Sequence, residues 1–247
     1  MNEITLQTTL ADCVARFPES ADVLEEYGLD YCCGGRQTIA EACQASKGNL
    51  TALIAQLQNV IEAHVDLPPV DPRKLSLADL CDHIESTHHA YLREELPRLK
   101  VQLGRFVLLH GSAHQDLLQL VPLFQSLQDE LVPHMLKEER VLFPAIRTLE
   151  AASAMPAFHF GAISNPIRMM EHEHEAVGGL LRQIRISTNG YQVLDDARSC
   201  WRALFSGLRK LESDLHLHIH KENNVLFPAA IKLADSIRVA DDSPGQI

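Results

Sequence analysis

Apolar residues recur three and four positions apart along most of this chain, the spacing that lines one face of an α-helix, and the strict alternation that marks strands is nearly absent. The pattern predicts four short helices, over 8–16, 19–27, 37–45 and 49–63, and then four long ones, over 76–109, 115–149, 166–188 and 193–235. Between the short helices, Gly28-Leu29-Asp30-Tyr31-Cys32-Cys33-Gly34-Gly35 carries three glycines and reads as a loop. The stretch 65–72 has three prolines in eight residues and reads as a linker stiffened toward polyproline II. Ser76 comes next as an N-cap, with Asp79 placed to complete a short capping box. The gaps between the long helices hold His110-Gly111-Ser112, Met155-Pro156, Asn165-Pro166 and Asn189-Gly190, all turn signals. Long helices with short connections predict an all-α fold, an antiparallel four-helix bundle. The expected organisation is a small helical domain over 1–64, a linker over 65–75, the bundle over 76–235 and a flexible tail over 236–247.

The bundle repeats itself. Glu130-Leu131, His134, Lys137-Glu138 and Val141-Leu142-Phe143-Pro144-Ala145 recur as Asp214-Leu215, His218, Lys221-Glu222 and Val225-Leu226-Phe227-Pro228-Ala229, at a constant offset of 84. Nine identities in sixteen positions indicate a duplication. A weaker match at offset 85 pairs Ile84 with Met169, His89 with His174, Leu92 with Val177, Leu96 with Leu181 and Leu99 with Ile184. Each half therefore carries one His on its first helix and His-x-x-x-Glu on its second.

Spacing of four puts His134 above Glu138, and His218 above Glu222, on one helix face. With His89 and His174 this gives four imidazoles and two carboxylates that an antiparallel bundle can bring together. The donor set suits iron, and also zinc, manganese or copper. Two carboxylates able to bridge, with two His per metal, favour a dinuclear site. Ferritin-like di-iron bundles use Glu-x-x-His instead, and no His-Glu-x-x-His of a zinc peptidase is present. Local periodicity places His88 near the buried stripe, so His88 competes with His89, which the repeat favours. Glu130 and Asp214, one turn before each His, are placed either to orient an imidazole or to sit in solvent. Glu173 could line the approach to the site. His64, His83, His110, His114, His159, His172, His216 and His220 have no histidine at the repeat position and read as surface or supporting residues.

Composition narrows the classes. Twelve of 13 histidines lie between His83 and His220. Asp plus Glu outnumber Lys plus Arg by 33 to 22, and a formal charge of −11 disfavours nucleic acid as a partner. No apolar run is long enough to span a membrane, and the acidic start MNEITLQTTL is no secretory signal. Six cysteines in 247 residues are too few for a disulfide scaffold, which points to the cytoplasm. Cys13, Cys43, Cys81 and Cys200 fall at apolar helix positions and read as core. Cys32-Cys33 reads as a thiol pair on a flexible loop, suited to soft-metal handling or redox exchange.

The four-helix His pattern resembles the hemerythrin-like bundle. Asp30-Tyr31-Cys32-Cys33-Gly34-Gly35, His134-Met135-Leu136-Lys137-Glu138-Glu139, Met170-Glu171-His172-Glu173-His174-Glu175 and the run from His218 to Pro228 together resemble the repair of iron centres (RIC) family. The resemblance implies a protein with two iron ions, oxo- or hydroxo-bridged, that restores iron–sulfur clusters damaged by nitrosative or oxidative stress. Its iron ligands fall on His89, His134, Glu138, His174, His218 and Glu222, and its cysteine pair, acting as a relay, on Cys32 and Cys33. Damaged iron–sulfur proteins are the implied partners, and nitric oxide or oxygen the implied small ligands; a homodimer stays open. An oxygen or nitric oxide carrier or sensor, and a nitric oxide reductase, are the competing classes. A carrier has no need of the N-terminal thiols.

Overall fold

The structure, a computed structural model, describes residues 4–63, 71–111, 115–193 and 199–242. Most of the predicted linker lies outside these residues, as do His64, His114 and 243–247. The fold is all-α; among the described residues the only strand-like pairing is one antiparallel bridge between Thr9 and Thr38. No helix among them is long and apolar enough to cross a membrane.

Four short helices come first: α1 (Leu10–Arg16), α2 (Ser20–Glu26), α3 (Ile39–Ala45) and α4 (Leu50–Ala63). Local chemistry sets their starts. The Thr9 hydroxyl accepts the Asp12 N–H, and Thr38 and Glu41 form a reciprocal capping box. Leu10, Cys13, Leu24, Ile39, Cys43, Leu53 and Leu57 make their apolar interior. After a 3₁₀ turn at Pro72–Lys74, Ser76 caps α5 (Leu77–Ile84) by accepting the Asp79 N–H. The remaining helices are α6 (Ala90–His110), α7 (Leu120–Lys137), α8 (Phe143–Glu150), α9 (Ser164–Ser187), α10 (Ser199–Lys221) and α11 (Phe227–Asp242).

Three of the long periodic segments are interrupted by π-turns, at Glu85–His89, Glu138–Leu142 and Glu222–Leu226. In each, the closing N–H reaches five residues back: Ala90 to Glu85, Phe143 to Glu138 and Phe227 to Glu222. Pro144 and Pro228 explain the last two. A proline inside a helix has no N–H to donate, and its ring collides with the carbonyl four residues earlier. Widening the preceding turn by one residue relieves that collision. In the first, the Ser86 and Thr87 hydroxyls bond back to the Asp82 and His83 carbonyls, which competes with regular helix bonding.

The chain forms two compact units, residues 1–81 with 216–247, and residues 82–215. In the second, α6 and α10 run antiparallel. Phe106 meets Trp201 edge-on at 4.7 Å, Leu99 crowds Gly207, and His88 reaches Asp214. Gly207 has no room for a side chain there, since a Cβ would lie 2.7 Å from Leu99. The first unit joins the N-terminal helices to the end of the last bundle segment. Tyr31, 1% exposed, is its pivot. The ring packs edge-on against His216 and His220, and its hydroxyl donates to Glu25, which also holds His216. The segment from 236, expected to be a tail, is helical as far as Asp242. Cys13, Cys43 and Cys81 are core as expected, but Cys200 is half-buried.

Candidate metal centre

In the unit 82–215, three elements point imidazoles at one carboxylate. His89 ends the first π-turn, His134 lies in the last turn of α7, Glu138 opens the second π-turn, and His174 lies midway along α9. Their exposures are 0%, 1%, 0% and 1%. His89 Nε2 lies 3.3 Å from Glu138 Oε2, and His134 Nε2 lies 3.4 Å from Glu138 Oε1. The Nε2 atoms of His134 and His174 are 3.0 Å apart. Phe143, which closes the π-turn, stacks its ring on His89 at 5.8 Å. His88 turns elsewhere, with Nδ1 3.0 Å from Asp214 Oδ1.

The outer edges of two imidazoles are anchored by carboxylates. His89 Nδ1 donates to Glu139 Oε1 at 2.7 Å, and His134 Nδ1 donates to Glu173 Oε2 at 2.9 Å. Each carboxylate is in turn ion-paired, Glu139 with Arg93 and Glu173 with Lys137. The His134 hydrogen bond and the Lys137 charge outweigh the burial that would raise it, and hold the Glu173 carboxyl down to about 2. A carboxylate on Nδ1 fixes the tautomer, keeps the proton outside and turns the Nε2 lone pair inward. Lone pairs therefore converge on Glu138, neither of whose oxygens accepts a hydrogen bond. Buried carboxylates without donors cost several kcal/mol unless a cation compensates. Imidazole nitrogen and carboxylate oxygen, desolvated and convergent, fit a first-row transition metal.

In the other unit, the repeat supplies the same pair one helix turn apart. His218 Nε2 lies 3.0 Å from Glu222 Oε1, at 1% and 0% exposure, and Glu222 opens the third π-turn. The two acids one turn before the repeated histidines divide between the two expected places. Glu130 is exposed, and Asp214 binds His88. Glu173 orients His134. Glu139 carried no signal in the sequence, because the repeat puts Asn223 at its counterpart. His220, read as a surface or supporting residue, is 1% exposed, and burial lowers its pKa to about 4 against the weaker pull of the Tyr31 carbonyl.

The thiol loop is wound tightly. Asp30 Oδ1 accepts the N–H of Cys32 at 3.1 Å, the N–H of Cys33 at 2.9 Å and the Cys32 thiol at 3.2 Å. These bonds hold the Asp30 carboxyl below its usual range despite the opposing effect of partial burial. Cys32 is buried and Cys33 exposed, with their sulfurs 3.9 Å apart. The bond to Cys33, then burial, raise the Cys32 thiol well above its ordinary value. Asn224, two residues after Glu222, donates to the carbonyls of Tyr31 and Cys32 at 3.3 and 2.9 Å. Gly35 permits this approach, since a Cβ there would lie 2.6 Å from the Tyr31 carbonyl and 2.7 Å from Asn224 Oδ1.

Residues 82–230 match the hemerythrin HHE cation binding domain, a span that contains all six predicted ligands. Residues 6–61 match ScdA_N, a domain of unknown function (DUF542). The chain is similar to the iron-sulfur cluster repair proteins YtfE of Escherichia coli O157:H7, Enterobacter sp. (strain 638) and Escherichia fergusonii. Each is 34% identical over 222 residues, which cover 90% of this chain and 96% of the relative. A buried, convergent His and Glu cluster inside a hemerythrin cation-binding domain, preceded by an ScdA_N domain, is a metal-binding site, and the chain belongs to the hemerythrin-type family of iron–sulfur cluster repair proteins, as its Asp-Tyr-Cys-Cys-Gly-Gly loop and duplicated His-x-x-x-Glu imply.

Proposed function

We propose that this protein restores damaged iron–sulfur clusters and holds two iron ions between His89, His134, Glu138, His174, His218 and Glu222. The observation that carries the reading is Glu138, a fully buried carboxylate with no hydrogen-bond donor, faced by the Nε2 atoms of His89 and His134. The constant offset of 84 and the single hemerythrin match over 82–230 support adding His218 and Glu222 to the same centre. The printed function of the YtfE relatives supports cluster repair as the task and iron as the metal.

Bound iron supplies positions open to a small diatomic molecule or water and an ion that can be given up. The chain's own residues do the rest. Glu139 and Glu173 hold the His89 and His134 rings in place and keep their protons on Nδ1. Leu92, Leu142, Phe143 and Val177 are buried, and Phe143 covers one face of the His89 ring. Cys32 and Cys33 serve delivery, as a thiol relay toward a damaged partner protein.

The test is reactivation of an iron–sulfur enzyme inactivated by peroxide or a nitric oxide donor, using full-length protein loaded with iron. Recovery in proportion to added protein is expected, with none from the Glu138→Leu variant. Equal recovery from free ferrous iron at the same concentration would overturn the reading.

A further inference from the structure

The thiol loop holds a second constellation of metal-ligand atoms, separate in chemistry from the His and Glu set. One carboxylate oxygen of Asp30, Cys32 Sγ and Cys33 Sγ all lie within 4.8 Å of one another. In a tetrahedral site with metal–sulfur bonds of about 2.3 Å, two thiolates stand about 3.8 Å apart, and an oxygen ligand stands about 3.5 Å from each sulfur. The loop places its sulfurs 3.9 Å apart and Asp30 Oδ1 3.2 Å from Cys32 Sγ, each within a few tenths of an ångström of that geometry.

Adjacent cysteines do not ordinarily point the same way, so something must hold them there. Asp30 Oδ1 draws in the N–H groups of both cysteines, and the two oxygens of the carboxylate together offer about four acceptor sites. Gly34 passes so close to the Asp30 carbonyl that a Cβ would lie 2.7 Å from it. Asn224 fixes the Tyr31 and Cys32 carbonyls from the other side. The three ligand atoms are thus set before any ion arrives, which lowers the ordering cost of binding.

We propose that Asp30, Cys32 and Cys33 form a mononuclear site for a borderline-soft divalent cation such as Fe²⁺, Zn²⁺ or Co²⁺. Two thiolates and one carboxylate hold the ion, and the fourth position opens to solvent on the exposed Cys33 side. Binding replaces the Cys32 thiol's hydrogen bond to Asp30 with metal bonds and releases two thiol protons to solvent, with no change of oxidation state. An open fourth position makes the ion exchangeable, as in catalytic rather than structural thiolate sites. The site shares no ligand with the His and Glu centre, though it uses the two cysteines that the repair reading assigns to delivery.

The experiment titrates Co²⁺ into full-length protein whose His and Glu centre is already loaded with iron, kept reduced, while thiolate-to-cobalt charge-transfer absorption is followed. One equivalent is expected to give a band with the intensity of two thiolates. Cys32→Ser with Cys33→Ser should abolish it at unchanged iron content. Asp30→Asn keeps an oxygen for the two N–H groups but removes the charge, and should weaken cobalt binding about tenfold or more. Alkylation gives a second measurement, valid in the natural chain alone: one equivalent of Co²⁺ should protect Cys33. A full band in the double serine variant, no thiolate band in the natural protein, or Asp30→Asn binding as tightly as the natural chain would each overturn the proposal. Low iron content before cobalt is added would count against the His and Glu reading instead.

Discussion

At Glu138 the local chemistry is least comfortable: a carboxylate at 0% exposure with two lone-pair nitrogens within 3.4 Å and no hydrogen-bond donor. Metal compensates that burial, so Glu138→Leu or Glu222→Leu should strip most of the iron, as read by metal analysis of the purified chain. The same argument gives an opposite sign without metal. Replacing an uncompensated buried charge by a hydrophobe of similar size removes a desolvation cost of several kcal/mol. Metal-free Glu138→Leu should therefore unfold at higher denaturant than the metal-free natural chain, and an equal or lower midpoint would mean that Glu138 is not strained. At the His pair, His89→Ala should lower iron content and His88→Ala should not, because His88 is engaged by Asp214. The carboxylates behind the rings have a graded role: Glu139→Gln and Glu173→Gln should each weaken iron retention about 10–100-fold, measured by competition with a chelator. The six proposed ligands stand out in the sequence because duplication filters out incidental histidines. Glu139 does not, since Asn223 stands at its repeat position. Nor does Glu173's partner, because spacing along one helix says nothing about which neighbouring helix a side chain meets.

At the level of elements, the π-turns set the aim of the ligands. Each begins or ends on one of them: His89, Glu138 and Glu222. One extra residue in a turn rotates the downstream residues by about a quarter turn relative to a regular helix, which is how Phe143 comes to lie on His89. Pro144 and Pro228 lock two of these turns in place. Replacing both by Ala should raise helix stability locally, given alanine's propensity advantage of about 3 kcal/mol over proline, and should still lower iron affinity by letting the turns relax. Circular dichroism and iron content on the same sample check both halves, and unchanged iron would remove the prolines from the site's design. Apolar periodicity gave the long segments but not these interruptions. A broad apolar stripe absorbs a one-residue insertion without losing its phase.

At the scale of the whole molecule, a loop-bearing N-terminal domain was visible in the glycines and the cysteine pair, but its attachment was not. Proline content argued for a linker that separates it from the bundle. Tyr31, His216, His220 and Asn224 join it to the end of the last bundle segment. None of these contacts has a periodic signature, and His220 looked like one more surplus histidine. A chain starting near Ser76 retains all six proposed ligands, yet it loses the partner that buries His220. It should melt lower than the full chain, whereas Cys32→Ser with Cys33→Ser should keep both its iron and its melting temperature. The most direct test of a His and Glu iron centre is X-ray absorption at the iron edge of the full-length Cys32→Ser, Cys33→Ser protein, which lacks the thiol site, carrying its bound iron. A first shell of nitrogen and oxygen only, with imidazole outer-shell scattering and two irons per chain, is the expected result. Sulfur in the first shell, or a single iron unaffected by Glu138→Leu, would contradict it.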